Sequence, residues 1–320
     1  PAAIGMVPMP GGALFSAPLV GRTVENTSQP PEWKAAVNYW FRHILEYWWP
    51  LYPVVIVTLS IFTLDTWKYM AVQIPFTFVS IFAGYFFLLR SHDKDLFTNV
   101  QQIDQAPSLV KAITPIMIIV AATLLLPGIF TYLAPGLNPA AWKLLAMLTG
   151  LIAALLMIHQ EQQKEDRKLF ADIISKKTMT VMFTLLGVMV FESLLDASGL
   201  IPMAGQELTR SRVPMALIIG FLPFLAGLVT GIAIGFAGAA FPIVVGFVNA
   251  DPSLQPITAL VLAFSMGYAG MMLSPVHLCF LLTIDYFSAS FIKVYRYLLP
   301  CVLSVMLWGI AMYFLLEKLT

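Results

Sequence analysis

"IGMVPMPGGALF", residues 4–15, and "TGIAIGFAGAAF", residues 230–241, decide how this chain is read. Both follow G-x6-G-A-x-F: Gly5 answers to Gly231, Gly12 to Gly238, Ala13 to Ala239 and Phe15 to Phe241, at a constant offset of 226 residues. The first copy sits in an apolar stretch, Ala2 to Val20, broken by Pro8, Pro10, Gly11 and Gly12. Proline removes an amide donor and clashes with the preceding turn, so this stretch is expected to form two half-helices rather than one rod. A weaker match pairs "FRHIL", residues 41–45, with "YRYLL", residues 295–299. The two ends of the chain look related by duplication.

The surroundings of these copies are apolar. Of the 320 residues, 59% are hydrophobic and 11% charged, and the mean hydropathy is +0.83, against about 25% charge in a soluble domain. A hydrocarbon core of about 30 Å takes roughly 20 apolar residues per helix. Backbone amides in lipid must pair within their own segment, and the apolar runs are continuous rather than alternating, so helices are favoured over a barrel. The expected fold class is an all-α polytopic membrane protein. Expected spans are Pro50 to Leu64, Tyr69 to Leu89, Ala112 to Leu133, Trp142 to Ile158, Thr178 to about Asp196, Pro214 to Thr230, Gly231 to Val248, Pro256 to Met272, Ser274 to Phe287 and Tyr297 to Leu316. Trp33 to Trp49, rich in aromatics and carrying Lys34, Arg42, His43 and Glu46, reads as a segment lying along the headgroup interface.

Five spans separate the two copies when Pro214 to Thr230 is taken into the second broken element. An odd number gives them opposite orientations, the inverted-repeat plan. On that plan 1–89 is the remnant of a first repeat, 90–177 links through a charged loop, and 178–320 is the second repeat, all within one transmembrane domain. Lys and Arg in short loops are retained on the cytoplasmic side; the loops with Arg90 and Lys94, and with Lys164, Arg167, Lys168, Lys176 and Lys177, can share it. Arg210 and Arg212 then fall outside. The opening residues lack a charged region ahead of a plain apolar core and do not read as a signal peptide; further spans are expected upstream.

Half-helix ends near the bilayer midplane offer uncompensated amides and carbonyls to a solute and a coupling ion. Pro8, Pro10, Gly11, Gly12, Gly235 and Gly238 suit such an unwound site, because glycine permits open backbone and close approach. Gly and Ala at spacings of three or four also simply let helices pack in lipid. Thr230, Ser265 and Ser274, beside Gly231, Gly267 and Pro275, offer hydroxyls to a solute or bond back to their own helix. Glu192 and Asp196, four apart, share one helix face where a proton or sodium ion would relieve their repulsion; the alternative is that both end a span at the interface. His277 and Asp285 are about 12 Å apart along a helix, hence separate ion-coupling candidates: a proton-responsive or hydrogen-bonded histidine, and a carboxylate that also suits an end-of-span anchor.

Other classes find little support. Net charge is +1, so nothing points to nucleic acid. Cys279 and Cys301 lack CxxC spacing, and His43, His92, His159 and His277 form no HExxH or His-Cys zinc motif, so no metal site and no cofactor are expected. GxSxG and an aspartate pair in protease contexts are lacking too, so the chain does not read as an enzyme.

The stretches "PAAIGMVPMPGGALFSAPLV", "GLVTGIAIGFAGAAFPIVVGF" and "GYAGMMLSPVHLCFLLTIDYFSASFIKVYRYLLP" resemble a prokaryotic integral-membrane family of unassigned function, domain of unknown function 401, along essentially the whole chain. The resemblance implies a place among the ion-transporter superfamily of carboxylate, gluconate and arsenite permeases, with an inverted-repeat fold and paired re-entrant hairpins in the cytoplasmic (inner) membrane. It supplies no substrate. The expectation is ion-coupled transport, with H+ or Na+, of a small solute, an organic anion because two converging half-helix N-termini favour negative charge. No obligatory intramembrane arginine is expected. Membrane lipid is the expected surrounding and a homodimer the assembly considered; a channel or a structural membrane component is the alternative.

Overall fold

A computed structural model describes residues 1–6, 12–24, 27–90, 109–133, 139–161, 190, 194, 198 and 214–319. Among them every regular element is a helix: α1 (Ala2–Gly5), α2 (Ala13–Thr23), α3 (Pro31–His43), α4 (Pro53–Phe62), α5 (Thr66–Gly84), α6 (Leu109–Leu133), α7 (Pro139–Glu161), α8 (Met215–Thr230), α9 (Ala233–Ala250), α10 (Pro256–Met272), α11 (Leu278–Phe287) and α12 (Phe291–Leu319). A π-helical turn, Tyr85–Leu89, continues α5. Two compact units emerge, one made of Pro1–Val100 with Thr184–Thr320 and the other of Gln101–Phe183.

Local chemistry sets many of the boundaries. Pro31, Pro53 and Pro256 stand in the first turns of α3, α4 and α10, where a missing N–H costs nothing. Asp65 caps α5 by accepting from the Trp67 amide at 2.8 Å. Asp251 closes the turn after α9, its carboxylate accepting from the Ser253 amide at 3.0 Å and hydroxyl at 2.7 Å; these bonds hold its pKa below the usual carboxylate range. Thr63 and Ser288 end α4 and α11 in the left-handed region.

Among the described residues three helices are long and apolar enough to cross a membrane: Thr66–Leu89, Ala233–Ala250 and Phe291–Leu319. Met215–Thr230, Pro256–Met272 and Leu278–Phe287 are apolar but shorter. Large apolar side chains such as Phe78, Phe82 and Ile292 lie on the outside, 66%, 69% and 74% exposed, a surface suited to lipid rather than water.

In the larger unit α8 and α10 meet at backbone distance. A Cβ on Gly227 would overlap the Gly267 carbonyl, and one on Gly270 the Phe224 carbonyl, the small-residue packing that lets helices associate in lipid. α9 packs on α4, α8 and α10, and α12 on α3, α5 and α10. In the smaller unit α6 and α7 form a pair, with Gly150 facing Ala122 and Ile119.

The segment expected along the interface is instead enclosed by protein. α3 packs against α1, α2, α5, α11 and α12, and nine of its thirteen residues are buried. Its aromatics carry polar atoms that satisfy carbonyls of other elements. Trp33 Nε1 donates to Leu88 at 2.5 Å, Trp40 Nε1 to Ser80 at 2.9 Å and Tyr39 Oη to Met272 at 3.2 Å. A Trp- and Tyr-rich sequence therefore marks here a buried helix with its hydrogen bonds met inside, rather than a headgroup belt.

Candidate functional site

Three described helices start beside a glycine or proline, and two of those starts, at Gly12 and His277, stand at the last turn of α3. The first is at Gly12, the N-cap position of α2. The second separates α8 from α9: Gly231 takes φ +63° and Ile232 is extended. A third, at Leu273 to His277, separates α10 from α11. A Cβ on Gly12 would overlap the Arg42 guanidinium, and one on Gly5 the Arg42 carbonyl. A Cβ on Gly231 would stand 2.9 Å from both the His277 amide nitrogen and Ser274 Oγ. Tyr52 Oη donates to the Gly5 carbonyl. Two helices thus begin, at Gly12 and His277, against Arg42 and His43, and a third, after Gly231, beside Ser274 and His277.

Gly231 is the sharpest of these constraints. A left-handed residue other than glycine costs about 1–2 kcal/mol, and here the added carbon also meets Ser274 and His277. Gly231→Ala is expected to lower stability by at least that amount, read as a reduced melting temperature of the purified protein in detergent. An unchanged melting curve would show that the break does not need glycine.

Arg42, His43 and Glu46 are 2%, 1% and 7% exposed. Arg42 lies inside the fold, against Gly12. A buried guanidinium needs compensation; burial pushes the Glu46 carboxyl up to about 8, and the guanidinium charge draws it back toward ionisation. His43 Nε2 is 3.8 Å from Glu46 Oε1. The His43 and His277 ring centroids are 5.1 Å apart, and Tyr39 stands edge-on to both at 4.9 and 5.3 Å. Tyr268 Oη donates to the His43 carbonyl at 2.7 Å, fixing the end of α3 to α10, while Asn38 Nδ2 donates to Thr283 Oγ1 at 3.1 Å, fixing it to α11. Cys279, in the first turn of α11, completes a group with His43 and His277 whose donor atoms lie within 4.8 Å of one another.

Of the residues singled out from the sequence, Gly12, Ser274 and His277 join this cluster. Ser274 is fully buried and its Oγ accepts from the Val276 amide at 3.3 Å. Thr230 ends α8 and bonds back to the Ala226 carbonyl at 2.7 Å, and Ser265 does likewise to Leu262 at 3.0 Å; both follow the local reading. Gly235 and Gly238 are helical in α9, so the unwound backbone of the second element is at Gly231 and Ile232, a few residues earlier. Gly235 is crowded by Thr230. α2 packs on α3 and α11, and α9 on α4, α8 and α10. Asp285 is exposed near the end of α11, apart from His277 as its spacing requires. Pro8, Pro10, Gly11, Glu192 and Asp196 lie outside the described residues.

Arg42, His43 and Glu46 carry no motif. Their signal is three polar side chains within one turn, followed by "YWWP", inside a strongly apolar chain. Aromatic composition pointed that signal to the membrane surface.

No curated protein and no solved structure matches this chain. A family model with the description "Protein of unknown function (DUF401)" matches residues 1–315. With that match running over nearly the entire sequence, the chain belongs to this family of unknown function.

Proposed function

We propose that this protein is a secondary transporter, driven by a proton or sodium gradient, that carries a small organic anion across the prokaryotic cytoplasmic membrane. The observation that carries the reading is the buried Arg42 guanidinium, pressed against Gly12 where α2 begins. Guanidinium binds carboxylates through two parallel hydrogen bonds. Helix N-termini add partial positive charge, and α2, α9 and α11 all begin around Arg42 and His277. Interrupted helices around a central site are the device by which inverted-repeat transporters expose backbone groups to cargo. The proposal includes membership of the ion-transporter superfamily of carboxylate, gluconate and arsenite permeases, a multi-pass topology and an inverted-repeat origin for the two glycine-rich elements.

Uptake into proteoliposomes provides the test. A panel of mono-, di- and tricarboxylates is offered under an imposed pH or sodium gradient, with empty liposomes as control. Saturable accumulation of at least one carboxylate, abolished by collapsing the gradient, is expected. Flux that never saturates and runs only downhill would point to a channel, and no anion flux with monodisperse protein would remove the transporter reading.

A further inference from the structure

We infer that His43, His277 and Cys279 form a binding site for a transition-metal ion of the zinc class, with Glu46 as a fourth donor. The donor atoms of the first three already lie within 4.8 Å of one another. A closed tetrahedral zinc site has neighbouring donors about 3.3–3.5 Å apart, from Zn–N near 2.0 Å and Zn–S near 2.3 Å, so side-chain rotation closes it. Glu46 Oε1 is 3.8 Å from His43 Nε2.

The backbone explains why no metal motif is visible. Residues two apart on a regular helix point to different sides. His277, however, precedes α11 with extended backbone, φ −64° and ψ 117°, and its ring joins Cys279 on one side while His43 arrives from α3.

Independent observations point to a ligand. His43 Nδ1 is 2.7 Å from the Tyr39 carbonyl; the proton on that nitrogen leaves the Nε2 lone pair directed elsewhere, the arrangement that orients a ligating histidine. His277 is 94% buried by its 6% exposure, and its Nδ1 has no hydrogen-bond partner, a costly state for a buried polar atom that a metal bond relieves. Cys279 is a buried free thiol in the first turn of α11, where an anionic ligand is favoured.

Two imidazoles with a thiolate select zinc, cobalt or nickel over sodium, magnesium or calcium. Arg42 opposes a cation nearby, and the carboxylate of Glu46 offsets it. The inference goes beyond anion transport and does not require it, because none of the proposed ligands is the guanidinium.

Cobalt(II) reports the site on the full chain. Metal-depleted protein in detergent is titrated with Co2+, and the expected result is saturating tetrahedral d–d bands with a thiolate-to-cobalt charge-transfer band, both bleached by Zn2+. Cys301→Ser should retain the charge-transfer band and Cys279→Ser should lose it. His277→Gln should weaken cobalt binding at least about tenfold. Absence of the charge-transfer band in the unmodified protein, or its loss in Cys301→Ser, would overturn the site; the unmodified and Cys301→Ser proteins decide this even if Cys279→Ser does not fold. Carboxylate uptake measured with a chelator present separates this outcome from that of the transport reading.

Discussion

Arg42→Gln is expected to remove gradient-driven anion uptake and to destabilise the fold at the same time, and the two losses can be separated. Truncating one member of a buried charge pair costs about 3–5 kcal/mol, chiefly because the other charge is left uncompensated. Glu46, 7% exposed and pushed up to about 8 by burial, loses with Arg42 the charge that does most to draw it back toward ionisation. The double change Arg42→Gln with Glu46→Gln removes both ionic groups, so it should recover most of the lost thermal stability. Uptake should not recover, because the group proposed to meet the anion is still missing. Loss of a buried charged contact to a ligand is worth about 2–5 kcal/mol, or ~30- to several-thousandfold in affinity. Arg42→Lys keeps the charge but not the planar fork, and an intermediate rate is expected. Initial uptake rates and melting temperatures for all three variants provide the check. A stable double variant that transports at the unmodified rate would exclude Arg42 from the solute site.

How much of this was legible in the sequence depends on the kind of signal. Hydropathy found the helices well: the expected spans ending at Thr230 and Met272 end there in α8 and α10, and Pro256 begins α10 as expected. Gly231 and the Ser274–Pro275 pair were readable as breaks because glycine and proline act locally on the backbone. The location of the unwound residues within "TGIAIGFAG" was not readable, since Gly231, Gly235 and Gly238 look alike until one of them adopts φ +63°. The polar half of the site was missed for a tertiary reason. Trp and Tyr at an interface and Trp and Tyr inside a helix bundle use the same amphipathic chemistry, an apolar ring with one polar atom to satisfy. In α3 those atoms meet carbonyls of Leu88, Ser80 and Met272, partners remote in sequence. His43, His277 and Cys279 were likewise invisible as a group because two packed elements bring them together.

Gly270→Leu is expected to cause the largest structural loss. The α8–α10 contact leaves no room for a side chain there: even a Cβ would overlap the Phe224 carbonyl and stand 3.0 Å from the Leu228 amide nitrogen. Backbone cannot move aside as a flexible side chain can, so the helices must separate. Overpacking by a few methylenes costs about 1–3 kcal/mol, and a whole isobutyl group against backbone belongs at or above the top of that range. The damage would spread, because α10 also holds the end of α3 through Tyr268 and the Met272 carbonyl. A lower melting temperature in detergent and a loss of the monodisperse peak are expected, together with weakened cobalt binding at His43 and His277. Gly128 supplies the control, since a Cβ there meets nothing within 4 Å, and Gly128→Ala should stay within about 0.5 kcal/mol of the unmodified protein. If Gly270→Leu melts with the Gly128→Ala control, close approach of α8 and α10 is not what holds this bundle, and the convergence of the helix breaks on Arg42 and His277 would need another support.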